Sequence, residues 1–308
     1  MIHIHCFLDC LAAIIKPKVN PNPLYFGSWD TPFAVTEQNK LTYYSTHLSS
    51  EKDRKKFETI YQGRVIEVYD HEMTKEENYE HIIRDLALLP SDWHMVVQID
   101  LFYIPYESKT YQKKHQPHFV IIRDDKNGVH VHDPSLGFEG SLEEQIIHDA
   151  IAQNAFGAAY IMDTSDIVNP TKDNILSWIM PTLQADQHSL THKVLEMIEQ
   201  IQHGRDGMEL KSLPIYFGDL GILAKWKKSY IPAFQYFQTD NSEHYITKVN
   251  ELTSKWNGFA FQAIRASVTN NTSSLEHLKQ LVHDIEQREH NIKSDLISCI
   301  EQWKVTYE

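Results

Sequence analysis

The stretch that most limits what this chain can fold into runs from Trp93 to Phe138, WHMVVQIDLFYIPYESKTYQKKHQPHFVIIRDDKNGVHVHDPSLGF. It reads as three strands, His94–Phe102, Pro117–Arg123 and Gly128–Asp133. A tyrosine-rich loop joins the first two strands, and a polar turn from Asp124 to Asn127 joins the last two. Strand parity puts Val129, Val131 and Asp133 on one face and His130 and His132 on the other. Asp133 therefore sits among apolar neighbours, where an unpaired carboxylate is expensive. His118, at the start of the preceding strand, is its natural partner. An even connecting loop brings the two to one face, and direct opposition calls for a wide loop of roughly six residues. The wide loop is expected, because the two-residue turn favoured by Asn127-Gly128 would hold the pair apart.

A histidine and an aspartate on one hairpin call for a nucleophile from elsewhere, and Cys6 is at hand. Residues Cys6 to Ile15 have a wide apolar stripe, and Pro17 limits the helix they form. Cys6 falls in its first turn, where unpaired backbone N–H groups and the positive dipole end favour a thiolate. Cys10, one turn later, reads as core. The three cysteines, Cys6, Cys10 and Cys299, make neither a disulfide framework nor a zinc set. A thiol, an imidazole and a carboxylate together can transfer acyl groups: the imidazole takes the thiol proton and the carboxylate fixes its tautomer. Cys6, His118 and Asp133 are the expected catalytic set. Asp100, Tyr103 and Tyr106, in QIDLFYIPY, are expected to form substrate-binding walls, with Trp29 from the aromatic loop Pro21–Phe33.

Elsewhere the pattern predicts a polar helix at Glu51–Tyr61, a strand at Arg64–Tyr69, a helix at Glu76–Leu89 and a strand at Ala158–Asp163. A helix at Ser141–Ile151 is expected from the capping box of Ser141 with Glu144. From about Asn169 almost every segment has helical period, at Ser189–His203, Leu213–Ser229, Ser242–Ala266 and Ser274–Tyr307. The expected fold class is α+β, with a domain at 1–168 built on an antiparallel sheet and a mainly helical domain at 169–308 packed on it.

With 308 residues, 42% hydrophobic and 23% charged, the composition is that of a globular protein in water. No apolar run approaches the ~20 residues that cross a bilayer, and the start lacks the features of a secretory signal, so no membrane partner and a cytoplasmic location are expected. The net charge of −13 argues against nucleic acid and suits a cationic substrate. There is no Walker loop, GxGxxG or GxSxG, so no bound cofactor is expected, and no histidine set has metal spacing.

The run HCFLDCLAAII, then LYFGSWDTPF, VVQIDLFYIPY, HFVII and VHVHDPS, resembles the papain-fold amide transferases of the butirosin acyltransferase type. The resemblance covers most of residues 1–140 and, more loosely, the helical remainder. It implies a papain-like N-terminal half in which Cys6 is the nucleophile, His118 the base and Asp133 the orienting residue. It also implies an acyl donor carried as a thioester on the phosphopantetheine arm of an aryl carrier protein. Within that family, the branch serving siderophore assembly transfers a 3,4-dihydroxybenzoyl group to a primary amine of spermidine or a citryl-spermidine intermediate. Papain relatives place a glutamine a few residues before the cysteine, and only Met1–His5 precede Cys6 here. Backbone N–H groups at the helix start are expected to take on that work. An acidic carrier should need a basic docking patch, either Lys225, Lys227 and Lys228 or Lys109, Lys113 and Lys114. The alternatives are a papain-like cysteine peptidase with the same triad, and a non-catalytic binding or scaffold protein in which Cys6 is only a small buried hydrophobe. A homodimer is left open.

Overall fold

Alternation of apolar and polar residues over short runs, broken by turn formers, produces six strands that hydrogen-bond into one antiparallel sheet. The computed structural model describes residues 3–30, 32–43, 50–125, 128–184, 189–238, 242–269 and 271–306. The strands of this sheet are β1 (Arg64–Glu67), β2 (Trp93–Asp100), β3 (Pro117–Asp125), β4 (Gly128–Asp133), β5 (Phe138–Leu142) and β6 (Ala159–Asp163), in the order β1-β6-β2-β3-β4-β5. The chain divides into two compact units, one formed by Met1–Leu24 with Ser50–Asn174 and the other by Tyr25–Ser49 with Ile175–Glu308.

In the first unit the sheet has helices on both faces. Helix α1 (Cys6–Ile15) lies on one face, where the Phe7 ring meets those of Phe119 and Tyr160 edge-on, 5.0 and 5.6 Å between centroids. Helix α2 (Glu51–Tyr61) packs beside β1. Helices α3 (Lys75–Leu86) and α4 (Glu144–Ala152) cover the other face, seating Ile82, Leu86, Ile147 and Ile151 on Met95, Val97, Val120, Ile122 and Val131. Each such side chain contributes ~1.5–3 kcal/mol by leaving water. Thr74 and Glu77 cap α3 reciprocally.

One expected helix start is wrong. Ser141 does not cap a helix: it lies in β5, opposite His130 of β4, and its hydroxyl bonds the Asp125 carboxylate. Helix α4 begins at Glu144 with no side-chain cap. The pairing of β5 with β4 satisfies the backbone of Phe138–Leu142, so the local capping pattern is overridden.

The second unit is helical, with α5 (Ser189–Gln202), α6 (Glu243–Thr269), α7 (Ser273–Thr306) and shorter helices between them. It also takes in Tyr25–Ser49, which the sequence pattern leaves with the N-terminal domain. The reason is tertiary. Trp29 stacks on Tyr230 at 4.4 Å and its indole N–H donates to the Thr182 carbonyl, Phe26 stacks on Phe237, and Thr42 donates to Asp219. Gly27, at φ +72°, lets the backbone pass against Thr182, whose methyl carbon would lie 2.5 Å from any added Cβ. Among the described residues no helix is long and apolar enough to cross a membrane.

Candidate active site

His118 is the second residue of β3 and Asp133 the last of β4. Burial alternates along β4, with Val129, Val131 and Asp133 buried between half-buried neighbours. Asp125 pairs with Gly128 and Ile121 with His132, so only two residues join the strands. Those two, Lys126 and Asn127, lie outside the described residues. The wide loop is therefore not used. In this register Asp133 falls opposite Val120, one diagonal step from His118 on the same face. Diagonal neighbours are about 7–8 Å apart at the backbone, within reach of an imidazole and a carboxylate. His118 Nε2 lies 2.9 Å from Asp133 Oδ2, and both groups are almost wholly buried.

Asp133 is held by more than the histidine. Oδ2 also accepts from the Tyr106 hydroxyl at 3.0 Å, while Oδ1 accepts from the backbone N–H groups of Ser135 and Leu136 at 3.1 and 3.0 Å. The Tyr106 ring stacks on Phe138 with centroids 3.9 Å apart. Burial, then the charge of Asp133 and the bond to it, keeps this phenol well above its ordinary range, so it acts as a donor. The four bonds leave the carboxylate one orientation, aimed at the imidazole.

Cys6 opens α1 and is half-buried. With Nε2 of His118 engaged by Asp133, Nδ1 is the ring nitrogen left for the sulfur, and Cys6 is near enough to act electrostatically on the imidazole. Burial alone would push the imidazole down. The Cys6 charge, the hydrogen bond to Asp133 and the Asp133 charge together outweigh burial and raise it to about 10. Cys10 has a different environment. It is fully buried, points its sulfur at the Phe119 carbonyl 3.4 Å away, and has its thiol pushed well up by burial and then by nearby negative charges. It is packing, as its place in the helix implies.

Two further residues tie this cluster together. Asp9, one turn after Cys6 and completely buried, accepts from the Ile4 N–H at 3.3 Å and from the Ser135 hydroxyl at 2.6 Å. Neither stands out by motif, although an aspartate inside the apolar stripe of FLDCLAAII is a visible signal.

The profile of the DUF6005 N-terminal domain matches residues 1–167, and that of the DUF6005 C-terminal domain matches residues 173–308. The chain belongs to the DUF6005 family. It is also 25% identical to petrobactin synthase of Bacillus anthracis over 313 residues, taking in 98% of this chain and 96% of that protein.

In this DUF6005 chain the residues expected to line the substrate site are placed as follows. Asp100 is buried, and its oxygens accept from the N–H groups of Phe102 and Gln116 at 3.0 and 2.9 Å and meet His115 Nδ1 at 2.6 Å. It pins the base of the loop that carries Tyr106. Tyr103 is half-buried beside Phe102 and His115. Trp29 is 1% exposed inside the second unit, beside a cavity of ≈ 10 Å³ that holds at most about one water. A roomier cleft of ≈ 350 Å³ lies in the first unit, where Ala13 and Lys16 of α1 face His132, Asp133, Pro134, Gly137, Phe138 and Glu139.

Proposed function

We propose that the chain is an amide-forming acyltransferase of siderophore biosynthesis, acting in the cytoplasm on petrobactin-type intermediates. The observation that carries this reading is the Cys6, His118 and Asp133 cluster, a thiol, an imidazole and a carboxylate in papain-like order with the carboxylate fully bonded. The similarity to petrobactin synthase over nearly the whole of both chains supports the choice of pathway.

In the proposed cycle the Cys6 thiolate attacks the thioester carbonyl of a 3,4-dihydroxybenzoyl group on an aryl carrier protein. The backbone N–H of Cys6, which has no intrahelical acceptor in the first turn, donates to the oxyanion. The carbonyl carbon's bond to the pantetheine sulfur breaks, and that sulfur takes the proton from the His118 imidazolium. A primary amine of spermidine or a citryl-spermidine intermediate then attacks the acyl-enzyme. His118 accepts a proton from it, the bond to Cys6 breaks, and the thiolate and imidazolium are restored. The electrostatics suit both halves of the cycle. The Cys6 charge is the largest influence raising His118, so acylation, by removing that charge, turns a resting acid into a base. The net charge of −13 favours encounter with a polycation.

Intact mass measurement after mixing with the acyl-loaded carrier tests this. The expected result is one acyl adduct on the wild type and on Cys10→Ala, and none on Cys6→Ala that remains folded. Product formation by Cys6→Ala would end the covalent route. Release of free acid or cleaved peptide with no amide product would favour a peptidase.

A further inference from the structure

Residues Leu101 to Gln116 form a loop built to be rigid. Asp100 grips both its ends through the N–H groups of Phe102 and Gln116. Gln112 N–H donates to the Phe102 carbonyl at 2.9 Å, and the buried Thr110 hydroxyl lies 3.4 Å from the Leu101 carbonyl, which closes the interior. The inner side of this loop delivers the Tyr106 hydroxyl to Asp133. Its outer side exposes Lys109, Lys113 and Lys114. None of the three is paired with a carboxylate among the described residues, and Glu107 is the only acid in the loop.

That is unusual in a chain of net charge −13. Two other basic clusters are partly neutralised or hidden. In α2, Lys55 pairs with Glu51, Arg54 with Glu67, and Lys56 is buried. Of the alternative docking set, Lys227 is 4% exposed and lies 2.6 Å from Glu289, so it is core and not surface.

We propose that the outer side of the Leu101–Gln116 loop is the docking surface for an acidic carrier protein, with Lys109, Lys113 and Lys114 facing its carboxylates. This rests on the acyltransferase reading and specifies where the donor binds. An anionic partner is repelled by most of this molecule and attracted at this loop, whose far side touches the proposed catalytic carboxylate. Fixed charges on a pinned loop favour encounter without the ordering cost of a flexible arm.

The test compares two donors of the same acyl group, the aryl carrier thioester and its N-acetylcysteamine thioester, by the rate of Cys6 loading read as intact mass. In the triple variant Lys109→Glu/Lys113→Glu/Lys114→Glu, kcat/KM with the carrier should fall by about tenfold or more, with the triple Gln variant between it and wild type. The small thioester, which has nothing to dock, reads the chemical step alone and should load all three proteins equally. Added salt should slow the wild-type carrier reaction and flatten its difference from the variants. Unchanged carrier loading in the Glu variant would overturn the docking surface, as would an equal fall with both donors. A wild type inert to both donors would instead sink the acyltransferase reading.

Discussion

The hydroxyl of Ser135 donates a 2.6 Å hydrogen bond to Asp9 Oδ2, joining the first turns of α1 to the turn that follows Asp133. Ser135 also gives its backbone N–H to Asp133, and Asp9 takes the N–H of Ile4, two residues before Cys6. The segment of Cys6, the proposed nucleophile, and the Asp133 carboxylate are thus fixed to one another through two side chains. Ser135→Ala leaves a buried carboxylate short of a donor, at a cost of about 1–3 kcal/mol. A displacement of Cys6 by even 1 Å from His118 should slow acyl loading by about a hundredfold. Ser135→Thr, which keeps the hydroxyl, should restore most of the rate. Urea denaturation and loading kinetics measured together separate the two effects, and a destabilised Ser135→Ala that loads at the wild-type rate would make this bond purely structural.

The raised His118 has a defined pH signature. Its folded value of about 10 lies above the unfolded value near ~6.5, so its contribution to stability is complete below about pH 6.5 and is lost as pH rises through about 10. In an NMR titration the wild-type ring should therefore stay protonated through neutral pH. Burial acts against protonation and the Cys6 charge acts for it, so Cys6→Ala should move the titration downward. An identical titration in the two proteins would show that Cys6 is not the partner of this ring.

How much of this could be read from residues alone depends on the range of the interactions. The limits of α1 follow from its apolar stripe and Pro17, and the buried face of β4 from strict alternation, because both are local periodicities. The approach of His118 to Asp133 was legible, but its geometry was not. Side chains of this length meet across a diagonal, so a wide loop was unnecessary. Ser141 imitated a cap because local pattern carries no information about the strand it pairs with. Trp29 looks like a wall residue in sequence, and its partners Thr182 and Tyr230 lie more than a hundred positions away. The bonds from Asp100 to the N–H groups of Phe102 and Gln116 were not legible, since sequence does not show that a turn folds back on its own carboxylate.

Tyr106 can be assigned by kinetics. If its hydroxyl serves Asp133, Tyr106→Phe removes one of four donors to that carboxylate while keeping the ring stacked on Phe138. The loss should be about 1 kcal/mol, roughly fivefold, and should appear in kcat. KM for the amine should not move. A change confined to KM for the amine would return Tyr106 to the substrate wall.

The helical unit carries its own test, independent of the chemistry. Glu289 is 2% exposed and lies 2.6 Å from Lys227 Nζ and 2.9 Å from the Tyr230 hydroxyl. Lys293, also buried, lies 3.0 Å from Asp30. Removing Glu289 takes from the buried Lys227 its nearest carboxylate and leaves Asp30, 3.7 Å away. Glu289→Ala should therefore destabilise the unit by about 3–5 kcal/mol, whereas replacing the pair together, as Lys227→Met/Glu289→Leu, should recover much of that loss because no charge is then left unpaired. Urea denaturation of the full chain measures both. A double variant no more stable than Glu289→Ala would mean that the hydrogen bond to Tyr230, and not the charge pair, is what α7 contributes at this position.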